Sequence, residues 1–255
     1  SMLAIGRLCV ATACGLLVAA SVVGVEGLYE GLEADAIRAR SVISLGQAGR
    51  VLPALEKAQR GERVVIAAIG GSITQGAAAS RPEFRWANRV AQWWIDTFPQ
   101  ADVAFVNAGI GATGSDIGAH RAKDHLLRER PDFVLVEYAV NDSGLATPDE
   151  TLEGLLRQIL AMPNQPGALL LMTMGNTGAN VQDKQIPVGR HYGLPMVSFR
   201  DAMWPEIEAG HIAWEAIEAD VVHPNDRGHA ICADLIVQVL EKWRGQLAAG
   251  GTTPA

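Results

Sequence analysis

The sequence predicts an α/β fold, a parallel sheet with helices on both faces. Three observations carry this. Five short apolar runs, residues 64–69, 103–107, 133–138, 168–173 and 196–198, are bounded by Gly, Pro or Asn, the pattern of strands buried on both faces. The stretches around residues 85–98, 116–130, 148–161 and 181–191, which lie between those runs, carry helical spacing. Their alternation implies right-handed βαβ crossovers and hence a sheet between two helix layers. At 255 residues and 49% apolar composition, the chain is long enough to bury one substantial core, and no linker or internal repeat divides it.

In chain order, the first element is an apolar segment within residues 1–26. Residues 8–25, LCVATACGLLVAASVVGV, carry no charge and follow Arg7. They are similar to the leading regions of a secretory signal or to a short membrane anchor; a packed helix is the other reading. Small residues at Ala19, Ala20 and Ser21 suit a signal peptidase. Export or anchoring, and any membrane contact, depend on this segment. Residues 27–60 form a helical extension, charges alternating with Leu, Ile and Val at three- and four-residue spacing, expected to pack outside the core. The alternating strands and helices fill residues 61–245. Their last helix covers residues 226–243 and is capped by Asn225 or Asp226. The tail, residues 246–255, is expected to fray.

Charge and cysteine usage exclude several functions. A formal net charge of −7 argues against a nucleic-acid partner. Cys9, Cys14 and Cys232 form no disulfide framework or metal-ligand cluster. No pair of histidines has metal-ligand spacing.

Each polar cluster falls just after a predicted strand or just before the final helix, where open parallel sheets bind ligands. Ser72 lies in IGGSITQG after the first strand, Gly111 and Ala112 lie in NAGIGATGS after the second, and Asn141 lies in YAVND after the third. Asp220 and His223 stand in DVVHPNDRGHA before the final helix. Taken singly, each reads equally well as a turn or a cap. The serine turn is not a G-x-S-x-G elbow, because Thr74 occupies the second glycine position, and it lacks the lysine of a phosphate-binding loop. Together they have a chemical logic. A serine hydroxyl needs a base within hydrogen-bond reach and a third group to orient that base. Asp220, three residues before His223, can share one compact turn with it. Attack on an ester also creates an oxyanion that needs donors, and the glycine-rich second turn, the Ser72 amide and the Asn141 side chain can supply them.

In order, spacing and strand context these blocks resemble those of SGNH hydrolases, the GDSL-like esterase/lipase superfamily, with GGSIT in place of GDSL. The resemblance spans residues 64–243. It implies a flavodoxin-like three-layer αβα sandwich with a five-stranded parallel sheet, and a serine esterase needing neither metal nor organic cofactor. It also implies that Ser72 is the nucleophile, His223 the base and Asp220 its partner. The oxyanion donors would be Ser72, Asn141 and either Gly111 or Ala112, and a left-handed backbone at Ala112 would be costly for alanine. Ala139 replaces a glycine common in the third block, which leaves the Asn141 amide intact.

The remaining polar residues sort by context. His229 reads as structural, and His120 and His125 as parts of a solvated helix face. His191 and His211 flank loops. Asp142, Thr74 and Asn107 are expected to support the site loops. The long polar segment 172–193 places Asn176 over the site, and Asn176 with Trp204 are the candidate substrate contacts. Trp204 and Trp214, in the loop-rich stretch before Asp220, are read as lining the pocket, and Trp86, Trp93 and Trp94 as core or helix-packing residues. The function expected is hydrolysis of small acyl esters, O-acetyl groups of a carbohydrate or similar polar alcohol. The alternatives are a longer-chain lipase or thioesterase, an acyltransferase, and a non-catalytic module binding sugar or phosphate.

Overall fold

The computed structural model describes residues 25–249. The signal-or-anchor reading of residues 8–25, save Val25 itself, lies outside the described residues, as do Cys9, Cys14 and the end of the tail. No helix among the described residues is long and apolar enough to cross a membrane.

Six strands make one sheet: β1 (Val42–Leu45), β2 (Arg63–Gly70), β3 (Asp102–Gly109), β4 (Phe133–Glu137), β5 (Gly167–Met172) and β6 (Pro195–Ser198). Their spatial order is β1-β6-β5-β4-β2-β3. Strands β2 to β6 are the five parallel strands expected. The sixth corrects that count. Strand β1 pairs antiparallel with β6 at the sheet edge, inside the extension read as helical. Val42 and Ile43 are β-branched and favour a pleated edge. Gly46, at φ +73°, then turns the chain where a side chain would strike Pro195.

The helices are α1 (Val25–Leu28), α2 (Ala34–Ser41), α3 (Ala48–Gln59), the single turn α4 (Ser72–Gln75), α5 (Trp86–Thr97), α6 (Ser115–His125), α7 (Pro148–Leu160), α8 (Gln182–His191), α9 (Phe199–Glu208) and α10 (Asp226–Ala248). Helix α9 also differs from expectation, since it forms in the stretch read as loop-rich. Ser198 caps it by accepting the Asp201 amide at 2.9 Å, and Phe199, Ala202 and Met203 bury one face at helical spacing.

The period-2 alternation of the strands divides two cores. Ile66 and Ala68 of β2 face one layer with Val51 and Leu55 of α3, Trp86 and Trp94 of α5, and Ile231 and Leu235 of α10. Ala67 and Ile69 face the other, with Ala122 of α6 and Leu155 and Ile159 of α7. The strand order reverses around β2, which lies between β3 and β4 with Gly70 beside Gly109 and Glu137. At this switch point the crossovers diverge to opposite faces and leave a crevice at the carboxyl edge.

Candidate active site

The crevice is built first by the turn after β2. Ser72 is half-buried at the start of α4. A side chain on Gly71 would collide with the Asn141 amide, so glycine is what lets Asn141, after β4, approach the serine. Asn107 fastens the turn from β3, its Nδ2 donating to Thr74 O at 2.8 Å and its Oδ1 accepting the Gly109 amide at 2.8 Å.

The turn before α10 brings His223 and Asp220 to Ser72. His223 Nε2 lies 2.8 Å from Ser72 Oγ, and His223 Nδ1 lies 2.7 Å from Asp220 Oδ2. The second Asp220 oxygen accepts the amides of Val222 and His223, each at 2.9 Å. Burial raises the Asp220 carboxyl, yet the hydrogen bonds from His223 and the two amides outweigh it and hold it below the ordinary range. Trp214 secures the same residue from outside, its Nε1 donating to Asp220 O at 2.7 Å. Asn225 caps α10 by accepting the Arg227 and Gly228 amides, which ends the turn.

The second turn offers two amides of different standing. Gly111 N–H donates to Gln75 Oε1 at 3.0 Å. The amides of Ser72 and Ala112 donate to no acceptor among the described residues. Ala112 holds φ at +57°, a left-handed conformation costing a non-glycine residue about 1–2 kcal/mol.

Supporting residues surround these groups. Asp142 accepts the Ser115 amide at 2.7 Å and Gln185 Nε2 at 2.9 Å, which ties the loop after β4 to α6 and α8. Burial pushes its carboxyl up to about 6. His229 is buried, accepts the Trp86 amide on Nδ1 and donates from Nε2 to Ala77 O; burial lowers its pKa to about 4. That is a neutral structural imidazole. His120 and His125 are exposed.

Glu218, two residues before Asp220, is buried, and its Oε2 has no hydrogen-bond partner among the described residues. Burial, aided by the charge of Asp220, pushes its pKa from 4.5 up to about 9. In that window the folded chain keeps a proton that the unfolded chain has lost, so its contribution to stability, complete below the lower value, is lost as pH rises through the upper. The thermal midpoint is expected to fall between about pH 7 and 8.5, and Glu218→Gln to flatten that fall. A variant with the wild-type slope would contradict this.

Asn176 is exposed, and its amide donates to Val221 O at 2.9 Å, so the loop after β5 rests on the turn that carries Asp220 and His223. Trp204 belongs to α9, which corrects its placement in a loop; Gly178 packs so closely on its indole that any side chain there would overlap it. Its contact in the structure is therefore to that loop. Exposed Val221 and Ile110 are apolar residues within the Asp220–His223 turn and the second turn. Trp86 and Trp94 are core residues. Sequence reasoning missed Gln75, Glu137 and Glu218. Only Gln75 had a signal, its place three residues after the serine. Among the described residues, no group of three or more His, Cys, Asp and Glu could hold a metal ion.

Residues 68–231 match the family model of the GDSL-like lipase/acylhydrolase family. Among solved structures, a two-domain esterase (CEX) active on acetylated mannans superposes with a TM-score of 0.79 and 41% identity, over 81% of this chain and 56% of that one. The same esterase co-crystallized with mannopentaose gives 0.78 and 41%, over 80% and 57%. This chain thus spans little more than half the length of that esterase. The acetyl xylan esterase AlAXEase, at 18% identity and a TM-score of 0.56 over 69% of this chain and 98% of its own, shares the fold. No curated protein sequence matches.

Proposed function

Since the chain belongs to the GDSL-like lipase/acylhydrolase family, we propose that it is a serine ester hydrolase that removes small acyl groups, acetyl above all, from a carbohydrate or similar polar alcohol. The observation that carries this is the hydrogen-bond chain from Ser72 through His223 to Asp220 at the carboxyl edge of the sheet.

Asp220 accepts the Nδ1 proton of His223, which leaves the Nε2 lone pair facing the Ser72 hydroxyl. Ser72 Oγ bonds to the acyl carbon as its proton passes to Nε2. The oxyanion meets the amides of Ser72 and Ala112 and the Asn141 side chain, each donor of this kind contributing about 10²–10³ in rate. Ala112 fills the role in preference to Gly111 because Gln75 already occupies the Gly111 amide. Collapse breaks the ester bond, and the alcohol leaves with the proton from His223. Water then gives a proton to His223, attacks the acyl-serine and releases the carboxylic acid, and Ser72 takes its proton back.

The acetyl-carbohydrate assignment draws on the mannan esterase that superposes on most of this chain. It also draws on the open mouth of the site, where Asp220 and Val221 are exposed, an access suited to an ester borne on a bulky alcohol. The test is a p-nitrophenyl ester series from acetate to palmitate together with acetate release from acetylated mannan. Rates on the esters are expected to fall at least about tenfold beyond butyrate, as lost transition-state binding. Rates that hold through palmitate would overturn the small-acyl reading, and no acetate released from mannan or other acetylated sugars would overturn the carbohydrate reading.

A further inference from the structure

Glu137, the last residue of β4, is a fully buried carboxyl at the site that takes no part in the proton transfers. A carboxyl so placed persists when hydrogen bonds replace its lost water. Its two oxygens accept Thr74 Oγ1 at 3.0 Å and Thr173 Oγ1 at 2.8 Å. Thr74 belongs to the turn that begins with Ser72, and Thr173 opens the loop that carries Asn176. That loop is closed by Asn180 Nδ2, which donates to Thr173 O at 2.7 Å, and it reaches the acid–base turn through the Asn176 amide. Gly70 admits the first contact, since a side chain there would overlap Thr74 Oγ1 and the Glu137 carbonyl.

Charge at Glu137 is felt at the triad. Burial pushes its carboxyl up to about 7 against the pull of the two threonine hydroxyls; Asp142, after β4, adds to the rise and His223, before α10, opposes it. Cys232 of α10 faces the same region, its thiol raised by burial and by the charges of Glu218 and Glu137.

We propose that Glu137 is a positioning residue, whose buried carboxylate brackets Thr74 and Thr173 and so holds the Ser72 turn and the Asn176 loop as one body. This rests on the esterase reading for its effect on rate, while the bracket itself has a readout that needs no activity. Glu137→Gln keeps the size of the side chain but turns one acceptor into a donor, so both threonine bonds cannot persist in their present direction. At pH 8 the variant is expected to lose about 10–100-fold in kcat with KM within about twofold, the signature of a misplaced nucleophile. Its acid limb should lose one proton of steepness relative to wild type. Thr74→Val should cause a comparable loss, and the double variant no more than the worse single, because the two share one interaction. Hydrogen exchange should accelerate about tenfold or more in residues 70–77 and 173–181 together. Wild-type kcat in Glu137→Gln, additive losses, an unaltered acid limb, or exchange that quickens in neither segment or only one would each overturn the proposal. If Ser72→Ala retained wild-type turnover, the esterase reading would fail, and the exchange measurement would still decide the bracket.

Discussion

Ser72→Ala is expected to lower kcat by about 10⁴-fold or more while leaving the fold intact. The oxygen that would form the acyl-enzyme is gone, and what remains is binding and oxyanion stabilisation, which in comparable triads sustain a residual rate about 10³–10⁴ above water. The half-buried hydroxyl gives up one hydrogen bond, to His223, so the cost to stability should stay near about 1 kcal/mol. Steady-state kinetics on p-nitrophenyl acetate, a thermal melt and labelling by a fluorophosphonate check all three points. Wild type should label and the variant should not. A folded variant with wild-type turnover would remove Ser72 from the mechanism, and with it the proposed activity.

Asp220→Asn is expected to cost about 10³–10⁴-fold in kcat at neutral pH. The carboxylate now accepts from His223 Nδ1 at 2.7 Å and from two backbone amides at 2.9 Å. An asparagine can keep its oxygen on those amides, which turns its NH₂ toward Nδ1. That donor selects the tautomer with the proton on Nε2, where it can no longer take one from Ser72. KM and the thermal midpoint should change little, since Asp220 is an exposed residue whose hydrogen bond to His223 is worth little to folding. Combining Asp220→Asn with Ser72→Ala should be no slower than Ser72→Ala alone, because the two act as one unit. Independent, multiplying losses, or a fully active Asp220→Asn, would show that Asp220 does not orient His223.

The parallel strands were legible because burial on both faces writes itself into the chain as continuous apolar runs such as VVIAAI in β2. The blocks bearing Ser72, Asn141 and the Asp220–His223 turn were legible for a related reason: each lies on one short loop, and strand alternation sends all these loops to one edge. Strand β1 was not. Three of its four residues pair with β6, some 150 positions away, and the strand sits amid helical spacing, so only the partner edge selects it. Helix α9 was obscured by Pro205 within it and a glycine soon after, although its apolar spacing is present.

The candidate site residues and the five parallel strands that present them were thus legible in the sequence alone, since both follow from side-chain chemistry and from the local period of burial. Three matters only the tertiary structure decided. Gln75 claims the Gly111 amide, while that of Ala112 has no acceptor among the described residues. Glu137 and Glu218 lie inside, one bonded to two threonines and the other with an oxygen that has no partner among the described residues. Trp204 braces Gly178 and its loop. The reason is common to all three: a donor is free or taken, and a carboxyl ionised or neutral, according to neighbours that sequence distance does not reveal and that only the packed chain brings within a few ångströms.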